Sequence, residues 1–290
     1  MERLGLDYEN AAAINPRLVY VSASGYGQSH PDRDRPGQDL LIQAVSGLAS
    51  ISGRAGQPPT PVGTAVVDQH GAALLALGAL AGLLERGRTG RGLHVEVSML
   101  RAALDLQLEI VSYFLNGARL EKSPTGLASM FHPPPYGVYA TRDGHLVLSM
   151  TPLGELAEAL PLPELRAYAT VTWNFEAREA VARLLDPVIR SRTTAEWIER
   201  LVPQGVWVAP IQTYAETFAD PAVRAADAVE EVEHPVAGRV KLLRFPLELS
   251  TGRATVRRLP PMAGEHADEI LREAGYGGEE IRRLRAEGAV

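Results

Sequence analysis

The 290-residue sequence contains no cysteine. That excludes a disulfide framework, a thiolate nucleophile and a cysteine-ligated metal, and it fits a reducing compartment. Its N-terminus, "MERLGLDYEN", has no basic region leading into an apolar run, so it does not read as a signal peptide. The most apolar segment, residues 71–84, is shorter than the roughly 20 residues a bilayer span needs and is rich in Gly and Ala. An excess of positive charge is also missing. The formal net charge is −6, which argues against a general nucleic-acid or anionic-membrane partner while leaving room for a local basic pocket. The histidines have no H-x-x-x-H or other ligand spacing, so no metal is assigned. A G-x-S-x-G elbow, the usual hydrolase signature, does not occur, and neither an internal repeat nor a low-complexity segment is visible. Together these absences read as a soluble, cytoplasmic protein.

What is present is a globular composition, 46% hydrophobic and 22% charged, on a chain long enough for one large domain or two modest ones. Residues 7–14 have the pattern of a short helix. "LVYVSAS", residues 18–24, is a β-branched and aromatic run that stops at "GYG", as a buried strand does. Helical spacing follows over 39–51 and 69–88, then a strand over 94–99 and a helix in "LRAALDLQLEIVSYFL"; a weaker strand signal lies around Ala65. Strands alternating with helices point to a parallel α/β layer. Pro and Gly cluster in "GARLEKSPTGLASMFHPPPYG", marking a break. "YGVYATRDGHLVLSM" predicts a hairpin turning at Asp143-Gly144, and charged helices follow over 178–201. The tail alternates short strands ("GVWVAPIQ", "GRVKLLRF") with loops and closes on two amphipathic helices. The expected division is 1–124 as the first part of a large α/β domain, 125–205 as a small domain, and 206–290 as a return segment with helices packing on the large domain.

One stretch raises a chemical question. "PVGTAVVDQHGAALLALGALAGLLERGRTGRG" sets a single acid, Asp68, at the mouth of an apolar helix. Gly71, Gly78 and Gly82 are spaced by seven and four residues, so they share a face that lets another backbone or a ligand come close. Each costs about 1 kcal/mol against alanine, so close packing is the plainer reason for them. An acid at a helix start caps free N–H groups and is favoured by the dipole. The same place keeps a carboxylate ionised against an apolar wall, as a nucleophilic carboxylate requires. Physics alone leaves both readings open.

Other stretches are weaker. "SGYGQ" offers backbone N–H groups at a strand's carboxyl end, where open α/β sheets bind ligands, but it lacks the third glycine of a dinucleotide fingerprint and reads first as a tight turn. Arg33 and Arg35 in "PDRDRPG" suit phosphates or a solvated loop equally well, and "ERGRTGRG" reads as a surface turn.

"NPRLVYVSASGYGQSHPDRDRPGQDLLIQAVSGLASISG" followed by "PVGTAVVDQHGAALLALGALAGLLERGRTGRGLHVEVSML" resembles the class III coenzyme A transferases, the formyl-CoA and carnitine-CoA transferase group, to which the α-methylacyl-CoA racemases are related. "GVWVAPIQTYAETFADPAVRAADAVEEVEHPVAGRV" and "PPMAGEHADEILREAGY" fit the same family, so the resemblance covers nearly the whole chain. It implies a Rossmann-like large domain completed by the C-terminal segment, a small α+β domain, and an interlocked homodimer. It makes Asp68 the nucleophile, which forms an anhydride with an acyl-CoA and then an aspartyl-CoA thioester before a carboxylic acid collects the CoA. Coenzyme A enters as a thioester substrate, and no tightly bound cofactor is implied.

The resemblance also lays "RPGQDL" along bound CoA, giving Pro36, Gly37, Gln38 and Asp39 as binding residues. Racemase-type relatives carry histidine where Gln38 stands, and glutamine is no acid or base near neutral pH. Gln38 can still hydrogen-bond a carbonyl. The expectation is therefore CoA transfer, with isomerisation or a catalytically silent subunit as alternatives. "SMFHPPP", residues 129–135, lies where relatives carry a glycine-rich lid, and reads here as a linker that includes Met130 and His132. Relatives carry a further stretch before "ERLGLDY", so the first strands of the sheet are expected to be missing and CoA binding to be weak.

Overall fold

The computed structural model describes residues 1–169 and 175–290, and the chain separates into two compact units, Met1–Ile211 and Gln212–Val290. The architecture is mixed α/β. In the first unit, helix α1 (Tyr8–Ile14) leads into strand β1 (Val19–Ser24), helices α2 (Asp39–Val45) and α3 (Leu48–Ile51), the long α4 (Val66–Thr89), strand β2 (Leu93–Ser98), and helices α5 (Met99–Leu106) and α6 (Leu108–Leu115). β1 and β2 pair in parallel, Val19 opposite Leu93 through Ser24 opposite Ser98. α4 makes the crossover between them. Its length follows from a run of Ala and Leu with good helix propensity, closed by Gly90 in the left-handed conformation (φ 74°).

Two breaks interrupt helices that the spacing runs together. Gly47, at φ 88°, separates α2 from α3, and Gln107 separates α5 from α6. Gln107 is buried there, its Nε2 donating to the Ala103 carbonyl at 2.8 Å. The strand suggested around Ala65 does not exist: Ala65 is the N-cap of α4, and the helix reaches back to Val66. α4 is consequently 24 residues long, and by length and composition alone it could cross a membrane, contrary to the short apolar run seen in the sequence. In the described chain 17% of its apolar window is buried, and Leu77, Leu80 and Leu84 are exposed. Here α4 lies against the sheet, with Gly82 at Val19 and Gly78 at Val95.

The unit continues with β3 (Gly137–Ala140) and β4 (His145–Leu148), the expected hairpin, then α7 (Leu153–Ala159), α8 (Phe175–Arg190), α9 (Thr194–Leu201) and β5 (Val208–Pro210), which pairs antiparallel to β4. The Asp143 carboxylate accepts the Thr194 backbone N–H at 2.8 Å, tying the hairpin turn to the start of α9 and holding its carboxyl below the usual range. Two separate apolar clusters lie on either side of residue 124. One gathers Tyr26, Ile42, Leu48, Val67 and Ala103; the other is centred on Leu146, Leu148, Leu156, Leu185 and Trp197. Trp197 is fully buried and donates from Nε1 to the Ile189 carbonyl at 2.7 Å.

The second unit contains α10 (Tyr214–Ala219), α11 (Pro221–Ala225), an antiparallel pair β6 (Val229–His234) and β7 (Gly238–Leu243), a short pair β8 (Glu248–Leu249) and β9 (Gly252–Arg253), and the terminal helices α12 (Ala267–Glu273) and α13 (Gly278–Ala286). Asp268 of α12 accepts from Arg285 of α13, and this bond keeps its carboxyl below the usual range.

Candidate active site

The strand end at "SGYGQ", the "RPGQDL" segment and the stretch holding Asp68 meet at the start of α4. β1 ends at Gly25, whose backbone lies against Gly37: a Cβ on Gly25 would fall 2.6 Å from the Gly37 Cα. Neither glycine has a positive φ. Both are needed because two chain segments touch where any side chain would intrude. The Gly25 carbonyl accepts the Leu100 N–H at 2.9 Å, which brings the start of α5 to the same point. Tyr26, buried, stacks on His30 with ring centroids 5.5 Å apart, and it packs in one cluster with Ile42 of α2 and Val67 of α4. The strand-end turn, the RPG segment and two helix starts are therefore locked together.

Pro36, Gly37 and Gln38 are all exposed, and Gln38 is the N-cap of α2 without a side-chain capping bond. Asp39 is different. It is 6% exposed, and its carboxylate faces α4: Oδ2 accepts the N–H groups of Val67 at 2.9 Å and Asp68 at 3.2 Å, and Oδ1 accepts from Gln43 Nε2 at 2.5 Å. The free N–H groups of a helix start want an acceptor, and here it comes from another helix.

Asp68 is the third residue of α4 and is exposed. Its side chain has no hydrogen-bond or ion-pair partner among the described residues, so it does not act as the cap that its position suggested. Two residues on, His70 pairs with Asp105 of α5 at 2.7 Å, joining the two helices beside the site.

The glycine face divides. Gly78 and Gly82 allow close approach, a Cβ on either falling 2.6 Å from a valine methyl of the sheet, whereas a Cβ on Gly71 would meet nothing within 4 Å. Arg33 pairs with Asp34 and Arg35 with Asp32, within their own exposed loop. In "ERGRTGRG", Arg88 forks onto Glu85 and Gly90 ends the helix. The segment holding Met130 and His132 is better anchored than a linker. Buried Arg178 donates to the Met130 carbonyl at 2.6 Å, Phe131 stacks on Tyr113 and His132 on Tyr136, both at 4.4 Å. Met130 and Phe131 line a cleft of about 270 Å³ with Gln107 and Lys122. Among the described residues, no group of three or more His, Asp or Glu side chains stands close enough to hold a metal ion.

The architecture and site thus define an α/β protein that presents an unpaired carboxylate at a helix start, beside a strand-end turn. The chain belongs to CoA-transferase family III, whose profile matches residues 1–267. It is 32% identical to an acyl-CoA transferase of Fusarium pseudograminearum over all of this chain and 65% of that protein. It is 30% identical to the human succinyl-CoA:glutarate CoA-transferase, over all of this chain and 67% of that one. The chain therefore spans about two thirds of the length of these relatives. A crystal structure of a CaiB/BaiF family protein from Brucella suis superposes with a TM-score of 0.76 at 26% identity, over 94% of this chain and 72% of the other.

Proposed function

We propose that the chain transfers coenzyme A from an acyl-CoA to a carboxylic acid, with Asp68 as the nucleophile. The observation that carries this reading is the exposed, unpartnered carboxylate of Asp68 at the point where the motif segments converge. The names of the relatives support it: several are succinyl-CoA:acid transferases, acting on glutarate, mesaconate or malate. Succinyl-CoA is accordingly the first donor to try, and a dicarboxylate the first acceptor.

The steps balance without an outside reagent. A carboxylate oxygen of Asp68 attacks the thioester carbonyl, giving a mixed anhydride and expelling the CoA thiolate. The thiolate attacks the aspartyl carbonyl, releasing the donor acid and leaving an aspartyl-CoA thioester. The acceptor carboxylate attacks that thioester and forms a second anhydride with loss of thiolate. The thiolate then takes the acyl group from the acceptor side and frees Asp68. Acyl-CoA bound over the exposed Asp68 contributes to excluding water from the anhydride. Gln38, also exposed, is suited to hydrogen-bonding a thioester carbonyl and not to moving an α-proton. Pro36 and Gly37 bring backbone against the ligand.

The same reading takes the parallel β1–β2 pair as part of a Rossmann-like domain, the working form as a homodimer and the location as cytoplasmic. The test is a CoA-exchange assay with succinyl-CoA and a panel of mono- and dicarboxylic acids. Formation of a new acyl-CoA with release of succinate is the expected result. Hydrolysis alone, or epimerisation of a 2-methylacyl-CoA, would contradict it.

A further inference from the structure

Asp39 is the one residue of "RPGQDL" whose side chain turns inward, and its partners give it a role other than ligand binding. Gln43, one turn along α2 and 1% exposed, donates to Asp39 Oδ1 and accepts the Val62 N–H at 2.8 Å; its Nε2 also lies 3.4 Å from the Thr64 carbonyl. Asp39 Oδ2 takes the N–H groups of Val67 and Asp68. Two buried side chains of α2 thus hold the chain from Val62 to Asp68, which is the approach to α4 and its first turn.

A carboxylate in the first turn of a helix is attracted by the free N–H groups there, and one at the third position can reach back towards them. Residue 68 is placed to do so: the N-cap, Ala65, has no side-chain acceptor. Asp39 reaches two of those donors instead. Lone pairs committed to N–H donors must be released before they can attack a carbonyl, and that release adds to the barrier. Occupation of the donors by Asp39 leaves both Asp68 oxygens free, and it fixes the peptide unit from which the Asp68 side chain projects.

We propose that Asp39, braced by Gln43, is a positioning residue for CoA transfer: it occupies the amides at the start of α4 so that the Asp68 carboxylate stays outward and unpaired. The inference rests on the reading of Asp68 as nucleophile. It assigns Asp39 no contact with CoA, because its oxygens are committed and buried.

The test measures steady-state kinetics with succinyl-CoA, and the single-turnover rate of adduct formation at residue 68, for the chain and for Asp39→Ala, Asp39→Asn and Gln43→Ala. Asp39→Ala should lower kcat and the adduct rate about ten- to a hundredfold, the cost of breaking one or two hydrogen bonds during attack. Its KM for succinyl-CoA should stay within about threefold, since no ligand contact is lost. Asp39→Asn keeps one acceptor oxygen for the two amides but sets its NH2 against the Gln43 Nε2 donor, so it should recover only part of the rate. Gln43→Ala, which keeps the carboxylate but loosens it, should show the same split to a smaller degree, and it decides the matter if Asp39→Ala does not fold. Unchanged kcat in Asp39→Ala, or in Gln43→Ala where it stands in, overturns the proposal. So does a rise in KM at constant kcat. Lack of any adduct at residue 68 in the unsubstituted chain defeats the nucleophile reading itself. An adduct that forms there equally fast in Asp39→Ala defeats only the role of Asp39.

Discussion

Substituting Gly25 by alanine separates a packing requirement from a merely local preference for glycine. The added methyl would sit 2.6 Å from the Gly37 Cα and 3.2 Å from the Gly37 nitrogen. Carbon atoms in contact settle at about 3.5–4.0 Å, so the two segments must part by about 1 Å. No flexible side chain is there to yield, because both sides are backbone. Asp39 lies two residues beyond Gly37, and its bonds to Val67 and Asp68 are 2.9 and 3.2 Å long. A shift of that size carries both out of hydrogen-bonding range. Hydrogen bonds to a charged group contribute about 1.5–3 kcal/mol each, so Gly25→Ala should cost about 3–6 kcal/mol. In a unit of this size that is a fall in melting temperature on the order of 10 °C. Thermal melting and hydrogen exchange at the Val67 and Asp68 amides report the two parts of the effect. Gly63→Ala is the control, since a Cβ there meets nothing within 4 Å; it should stay within about 0.5 kcal/mol. A Gly25→Ala protein that melts within about 2 °C of the parent and keeps both amides protected would refute the reasoning.

Three more perturbations follow from the same packing. On α4, Gly87→Ala meets open space and should stabilise by about 1 kcal/mol, whereas Gly82→Ala drives a methyl into the stiff Val19 side chain and should be neutral to about 2 kcal/mol destabilising; denaturant unfolding compares them. Trp197→Phe leaves the buried Ile189 carbonyl without its donor and opens a small void, so it should cost about 2–4 kcal/mol by the same measurement. The Asp143 carboxyl is held low first by the Thr194 backbone N–H, and Glu196 first by that of Thr193. Their contribution is complete above the ordinary carboxylate range and disappears as pH falls through the lowered folded values, below about pH 4. Asp143→Asn should therefore flatten part of the loss of stability between about pH 4 and pH 2, read from melting curves across that range.

Local structure was largely legible in the sequence, because its causes are local. The hairpin at Asp143-Gly144, the strand that stops at "GYG" and the helices ending on Gly or Pro follow from turn chemistry and periodicity. The breaks at Gly47 and Gln107 were not, since each depends on what surrounds the residue after folding. Among the three aligned glycines, spacing could not show that Gly78 and Gly82 touch the sheet while Gly71 touches nothing. Asp68 was marked out by one acid at the mouth of an apolar helix, but its lack of partners was hidden. Asp39, 29 residues earlier, takes the N–H groups of Val67 and Asp68, and no spacing rule reports a bond across that separation. "RPGQDL" drew attention as a ligand-contacting stretch, and in the fold its residues serve two faces, five exposed toward solvent and one, Asp39, turned into the core.

The most direct test of the central claim is to map the covalent adduct. The chain is incubated with succinyl-CoA, treated with borohydride, which reduces an aspartyl thioester to the alcohol, and digested for peptide mass analysis. The account predicts modification confined to residue 68, its absence in Asp68→Asn, and a loss of at least about a thousandfold in CoA exchange for that variant, near 4 kcal/mol. An unmodified Asp68 in a chain that still exchanges CoA, or an Asp68→Asn variant that keeps its turnover, would contradict it.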